Sequence, residues 1–189
     1  MEDDDVETCL LGGRAVPVLV SDWEGLRGQP YRRTYNLKPG ESWFDMTTTS
    51  EQTEVYALDG TVGIPVGAMI ARELIAQGAS WACFTEMWGA GRVLVGPDLV
   101  CVEQSGDVAA VMQELHEAVG KWAGLPDVVG RWPDGRIILR EAKCTATKDK
   151  VSEAQHEFFA ALWATMPDRI DAAVVQWGLR LRHSHTSGH

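Results

Sequence analysis

The sequence predicts a single α/β or α+β unit with an N-terminal extension. With 189 residues, of which 45% are hydrophobic, the chain can fold as one domain with a substantial core. Three segments repeat their apolar residues at helical spacing, and β-rich runs lie around them. Residues 1–60 show no sustained period, so we expect an extension there, one domain over residues 61–182 and a flexible tail over residues 183–189.

The predicted domain begins with a helix over residues 62–77, whose apolar residues recur at helical spacing. Pro65 suits its first turn, and Gly78 stands where a C-terminal cap belongs. A β-rich run follows over residues 80–88. Residues 92–102 then predict one or two more strands around a Gly-Pro turn.

A second helix is predicted from Asp107, as the N-cap, to an end at Gly124, because its apolar stripe has amphipathic spacing. Two strand candidates follow around the letters PDG. A third helix opens at Ser152 and closes at Pro167, and residues 170–181 read as a final strand.

Composition and charge bear on the class of function. No apolar run near the N-terminus is long enough to cross a membrane, and the acidic start MEDDD lacks the basic region of a signal peptide. The four cysteines are scattered without a CxxC pair, which argues against a zinc ribbon or a disulfide framework. The formal net charge of −10 argues against tight non-specific binding to a polyanion, although residues 121–150 carry seven basic residues against four acidic ones. We therefore expect a soluble cytoplasmic protein with reduced thiols.

The stretch LPDVVGRWPDGRIILREAK, residues 125–143, places three charges in an apolar hairpin. If PDG forms a three-residue loop with Gly135 in the left-handed conformation, Asp127 stands directly across from Glu141. Lys143 projects from the same face, because strand side chains alternate. A two-residue Asp-Gly loop would instead send Asp127 to the opposite face of the sheet.

Two carboxylates at cross-strand distance repel each other unless a positive charge lies between them. Asp127 and Glu141, with a backbone carbonyl of Ala142 or Cys144, would form a hard oxygen site suited to Mg²⁺ or Mn²⁺. Lys143 beside such a site could orient or deprotonate a nucleophile, and phosphodiester hydrolysis is the chemistry that needs this set. A salt-bridged strand end at the surface would give the same letters.

The order of motifs over residues 124–177 resembles the PD-(D/E)XK nuclease superfamily, and within it the virus-type replication-repair nuclease (VRR-NUC) domain. The matching features are GLPD, a strand ending in EAK, an S-x-x-Q helix start and a closing strand. The resemblance implies an α/β, restriction-endonuclease-like αβββαβ core, with a mixed central sheet flanked by helices. It also implies an endonuclease that depends on Mg²⁺ or Mn²⁺ and acts on branched, flapped or nicked DNA in replication, repair or recombination. Stand-alone members of the family often dimerise, so a homodimer is among the expectations.

The resemblance also implies roles for single residues. The metal ligands of the family fall on Asp127 and Glu141, its catalytic lysine on Lys143 and its helix glutamine on Gln155. Gln155 has a structural alternative, because the letters from Ser152 onward also read as a capping box.

Two features of the family are not assigned in this sequence. The upstream acidic ligand could be Glu86, our first choice, or Glu73 or Glu117. The loop after the lysine, residues 144–152, lacks the G-P-x-D-x-L letters that are usual in the family, so its substrate contacts are open.

Basic residues near the motif are candidates for DNA binding. Lys148 and Lys150 could bind phosphate beside the site, as could Arg131, Arg136 and Arg140 along the hairpin. A solvated charged rim is the alternative for each of them.

Two other functions stay open. A catalytically inactive module could keep the nuclease fold and bind nucleic acid or protein, which the overall acidity favours. A restriction or defence nuclease would cut plain duplex DNA at specific sequences.

Overall fold

The computed structural model describes residues 7–30, 37–46 and 53–183. These residues form a mixed α/β structure with a mixed multi-stranded sheet and three helices, so the α/β class is confirmed. None of the helices within these ranges is long and apolar enough to cross a membrane.

The strands of the described residues are β1 (Thr8–Leu11), β2 (Arg14–Val20), β3 (Gly25–Pro30), β4 (Thr53–Asp59), β5 (Val62–Ile64), β6 (Trp81–Phe84), β7 (Arg92–Val95), β8 (Val100–Glu103), β9 (Val128–Arg131), β10 (Ile137–Cys144), β11 (Ile170–Trp177) and β12 (Leu181–His183). The helices are α1 (Val66–Ala76), α2 (Gly106–Val119) and α3 (Glu153–Thr165).

The central sheet has the strand order β1-β2-β11-β10-β9-β6-β7-β8. Strands β2, β11 and β10 run parallel, and the other neighbours are antiparallel. Helices α2 and α3 pack with Val129 and Leu139 on one face. Helix α1 packs with Val128 and Ile138 on the other face. Because side chains alternate along a strand, the sheet is buried between two helical layers.

A second sheet has the order β12-β3-β4-β5. The chain enters it along two paths that leave the central sheet side by side, from β2 to β3 and from β11 to β12. Hydrogen bonds join these paths, from the Ser21 amide to the Gln176 carbonyl and from the Gly25 amide to the Arg180 carbonyl, each at 2.8 Å. The second sheet is therefore tied to the ends of β2 and β11.

The first helix begins later than predicted. It starts at Val66, and residues 62–64 form β5, which pairs with β4 through Val62 and Asp59. Pro65 is the N-cap with extended backbone angles and does not lie in the first turn. Gly78 has φ +99° and follows the helix as predicted.

The second helix was predicted with the wrong caps. Ser105 is the N-cap, and Asp107 lies in the first turn. The Asp107 carboxylate is used elsewhere, because it accepts a hydrogen bond of 2.6 Å from the Trp81 indole and pairs with Arg131. The helix ends at the left-handed Gly120, earlier than the predicted Gly124.

The residues assigned to an N-terminal extension supply β1 and β2 to the central sheet. Their turn packs on α3, because a Cβ on Gly12, which has φ +61°, would lie 2.3 Å from the Ala160 amide nitrogen. The predicted final strand is two strands, β11 and β12, and His183 of the predicted tail lies in β12. The predicted division of the chain at residue 60 stays a prediction, and residues 184–189 lie outside the described ranges.

Candidate active site

The β9–β10 hairpin has the predicted register. Val128 lies opposite Arg140, and the Trp132 amide donates to the Arg136 carbonyl at 2.9 Å. Gly135 has φ +90° in the three-residue loop. The alternative two-residue loop is therefore wrong, and the next position along the hairpin brings Asp127 beside the strand segment that contains Glu141.

Asp127 continues the hydrogen-bond ladder with its side chain. Its Oδ2 accepts a hydrogen bond of 2.8 Å from the Ala142 amide. Its backbone carbonyl accepts from the Thr85 amide at 2.9 Å and from the Thr85 hydroxyl at 3.0 Å, which ties it to the end of β6. Because the N–H and C=O of one strand residue point to the same side, the Ala142 carbonyl also faces Asp127.

Glu141 and Lys143 form a buried pair. The Glu141 side chain is 3% exposed, and its Oε1 lies 2.8 Å from the Lys143 ammonium nitrogen. Its Oε2 is buried and has no hydrogen-bond partner among the described residues. A buried acceptor without a partner is costly, so this oxygen is a place where a cation or a proton would be stabilised.

Asp127, Glu141 and Lys143 shift one another's pKa values. Burial and the charge of Asp127 raise the pKa of Glu141 to about 8, against the opposing effects of Lys143 and Gln155. Burial also raises the pKa of Asp127, although the Ala142 amide and Lys143 oppose the rise. Burial lowers the pKa of Lys143, but the charges of Glu141, Asp149 and Asp127 outweigh it and leave that pKa above its ordinary value. Lys143 is therefore charged at neutral pH, and much of Glu141 is protonated when no cation is bound.

Gln155 has the capping role that the sequence offered, and its role in a nuclease site stays a prediction. Its Oε1 accepts from the Ser152 amide at 2.8 Å, and the Ser152 hydroxyl accepts from the Gln155 amide at 3.2 Å, which is a complete capping box. The polar side chain of Gln155 also favours the ionised form of Glu141 and so lowers its pKa. Gly124 packs closely against the start of α3. A Cβ at this position would lie 2.1 Å from the Ala154 carbonyl oxygen, so only glycine fits there.

Gln155 variants should separate capping from the contact with Glu141. Gln155→Glu keeps the capping box, whereas Gln155→Ala should lower the free energy of unfolding by about 1 kcal/mol in urea titrations. The added carboxylate in Gln155→Glu should raise the pKa of Glu141 further, which an NMR titration would detect. Ser152→Ala is the matched control, because it removes the cap alone. Equal pKa values of Glu141 in the wild type and in all three variants would show that Gln155 is only a cap residue.

A cleft of about 770 Å³ opens between the ends of β6, β9 and β10 and the second sheet. Its lining includes Arg27, Glu54, Glu86, Asp127, Ala142 and Asp149, whereas Glu141 and Lys143 are buried and are not among the lining residues. Asp127 is thus the member of the charged set that faces the cleft.

Two acidic residues of this cleft were missed by the sequence analysis. Asp149 Oδ2 lies 3.6 Å from the Lys143 ammonium nitrogen. Glu54 has its pKa raised by burial and by the charge of Asp127, against a hydrogen bond from Tyr56. The loop position of Asp149, six residues after Lys143, was a usable signal. Glu54 lies in a strand of the predicted extension, where no motif marked it.

The structure brings one of the three candidates for the upstream acid to this cleft. Glu86 lines it together with Asp127. Glu73 lines a separate pocket of about 250 Å³ with Asp22, and burial and the charge of Asp22 raise its pKa. Glu117 is exposed on α2 and shares a hydrogen bond with Gln113.

Lys148 and Lys150 flank a cleft-lining residue but do not line the cleft themselves. Both are exposed in the loop after β10 and flank Asp149 in sequence. Their placement is compatible with phosphate contacts next to Lys143.

The hairpin arginines lie elsewhere. Arg131 is four residues from Asp127, about 13 Å along the strand, and pairs with Asp107. Arg136 pairs with Asp134 at 2.8 Å at the hairpin turn, and Arg140 is buried against Asp171 at 3.0 Å. The structure does not bring these three arginines to the charged set.

The donor set for a hard divalent cation is small. Within the described ranges no three His, Cys, Asp or Glu side chains are grouped closely enough to hold a metal ion. Asp127 and Glu141 supply two carboxylates, one of them with the unpartnered Oε2, and the Ala142 carbonyl faces the same side. Mg²⁺ is commonly bound by one or two carboxylates and retains several waters, so this set is adequate for it.

Comparison with known proteins adds no family to this picture: no protein-family profile, curated protein or solved structure matches the chain at a significant level.

Proposed function

We propose that the protein is a metal-dependent endonuclease that hydrolyses phosphodiester bonds of DNA. The observation that carries the proposal is the convergence of Asp127, Glu141 and Lys143, with a buried carboxylate oxygen that has no hydrogen-bond partner. Two neighbouring carboxylates with an unpartnered buried acceptor destabilise the fold, so their presence supports a role in binding or catalysis.

The order of elements supports the proposal. Helix α1 is followed by β6, β9, β10, α3 and β11, and these four strands are neighbours in the order β6-β9-β10-β11. With β7, β8 and α2 regarded as an insertion, this is the αβββαβ sequence that the resemblance implies. The charged set lies at the ends of the second and third of these strands.

Asp127, Glu141 and the Ala142 carbonyl are the groups that would hold Mg²⁺ or Mn²⁺, with Glu86 as the candidate for a further carboxylate. When bound, such a cation acidifies a water molecule and neutralises charge that develops on a phosphate. The chain itself fixes the geometry, because the Ala142 amide orients Asp127 and Lys143 orients Glu141.

Lys143 acts as a charged donor in this proposal and not as a base. Its pKa lies above the ordinary value, so the ammonium stays protonated and can stabilise negative charge on the phosphate. Asp149 and Glu141 hold the ammonium between them, which restricts its position.

DNA as the substrate, its branched or flapped form and a possible homodimer follow from the sequence resemblance. Lys148 and Lys150 would bind the phosphates next to the scissile bond, because they lie in the loop after the Lys143 strand.

A second candidate function is a catalytically inactive module with this fold. Glu141 and Lys143 are buried and do not line the cleft, which favours it, because a reacting phosphate must reach the Lys143 ammonium and the cation that Glu141 would hold. A duplex-cutting restriction or defence nuclease is the other alternative, and its mark would be sequence-specific cleavage.

Cleavage assays test the proposal directly. Purified protein with Mn²⁺ should cut at least one of three DNA substrates: a four-way junction, a flap and a linear duplex. Lys143→Ala should lower the rate roughly 10²- to 10³-fold, because it removes a charged donor at the reacting group. Lys38→Ala is the matched control and should retain most of the activity, because Lys38 is exposed and does not line the cleft. Absence of cleavage on all three substrates would favour the inactive module.

A further inference from the structure

A β-bulge in the second sheet faces the cleft. Leu26 pairs with Tyr56 and Gln29 pairs with Glu54, so two residues of β3, Arg27 and Gly28, stand opposite one residue of β4. Gly28 has φ +77°, which favours glycine. Bulges of this kind redirect a side chain and are frequent next to active sites.

Arg27 is the sole basic residue in the described lining of the cleft. The same lining holds four carboxylates, which belong to Glu54, Glu86, Asp127 and Asp149. Arg27 is exposed and forms no ion pair with another described residue. Arg27 therefore places a cation without a described acidic partner on the part of the cleft that the second sheet forms.

An acidic cleft repels a phosphate group, so a nuclease with this cleft needs a cationic contact to hold the strand. We propose that Arg27 binds a backbone phosphate of the substrate strand and thereby makes the second sheet a substrate-binding wall. This inference rests on the proposed nuclease function. Arginine suits the role, because its planar guanidinium can bind phosphate with two parallel hydrogen bonds.

The volume of the cleft indicates how much of a DNA strand it can hold. Its volume of about 770 Å³ is in the range of sites for single small ligands. A volume of this size accommodates about one nucleotide unit of one strand. Arg27 should therefore contact the phosphate of a single nucleotide within the cleft.

Binding of a short fluorescent single-stranded DNA, measured by anisotropy with Ca²⁺ in place of Mn²⁺, tests the assignment. Arg27→Ala should weaken binding about tenfold. The slope of log affinity against log salt should become shallower by about 0.7, the value for one lost phosphate contact with a single strand. Arg27→Lys should keep most of the slope. Arg180→Ala is the matched control, because Arg180 is exposed next to the second sheet but does not line the cleft.

The outcomes separate this inference from the proposed function. An unchanged salt slope in Arg27→Ala, or an equal loss in Arg180→Ala, overturns the role of Arg27 while cleavage by the wild type still stands. A wild type that neither binds nor cuts DNA overturns both. Competition by inorganic phosphate at the same concentration as the strand would show a simple anion site, which also contradicts strand binding. The melting temperature of each variant serves as the folding control. A value equal to that of the wild type excludes misfolding as the cause of weaker binding.

Discussion

Glu141→Gln should abolish DNA cleavage and also weaken the pH dependence of stability. Loss of cleavage is expected because the variant removes a carboxylate from the proposed cation site, at a cost of at least about 10²-fold in rate. The effect on stability follows from the buried environment of Glu141, where the pKa rises from 4.5 to about 8. Stability and activity should thus respond to this substitution in opposite directions above neutral pH.

The sign of the stability effect is fixed by proton binding. Between pH 4.5 and about pH 8 the folded protein retains a proton on Glu141 that the unfolded chain has lost. The free energy of unfolding therefore falls as the pH rises through this window. At about 1.36 kcal/mol for each pKa unit, the total fall from this group is at most about 5 kcal/mol.

Urea unfolding from about pH 5 to about pH 8 would measure this fall. The fall in the free energy of unfolding should be much smaller in Glu141→Gln. A small fall should remain, because the pKa of Asp127 is also raised. Glu117→Gln is the control, because Glu117 is exposed on α2. Equal slopes in the wild type and in Glu141→Gln would mean that Glu141 ionises freely, and the account of a destabilised site would be wrong.

The hairpin and its register could be predicted from residues that are close together in the sequence. The PDG loop sets the register, and the register brings Asp127 beside the strand segment that contains Glu141 and Lys143. The capping box at Ser152 was readable for the same reason, because cap and turn chemistry depend on residues close in sequence.

Long-range pairing was not readable. Strands β1 and β2 join the central sheet beside β11, more than 150 residues later in the chain, and no local period announces this pairing. Asp107 was misassigned because its carboxylate serves Trp81 and Arg131, both distant in sequence. Glu54 and Arg27 could not be predicted as cleft residues for the same reason. They line the cleft because the second sheet forms part of its wall.

Proton release on cation binding is the second large effect that we expect. A cation that binds Asp127 and Glu141 must displace the proton that Glu141 retains below about pH 8. The apparent affinity for Mn²⁺ should therefore fall about tenfold for each pH unit below this value, or roughly 10²-fold between pH 8 and pH 6.

Isothermal titration calorimetry in buffers of different ionisation enthalpy would count the protons. About one proton should be released for each Mn²⁺ bound at a pH well below 8, and almost none above it. The variant Asp127→Ala with Glu141→Ala should bind Mn²⁺ far more weakly than the wild type, whereas Glu73→Ala should bind normally, because Glu73 lines a different pocket. Binding that is independent of pH, or equal in the double variant, would place the cation elsewhere. Because the proton and the cation compete for one carboxylate, the same burial that destabilises the ionised Glu141 would make cation binding, and with it cleavage, increase with pH.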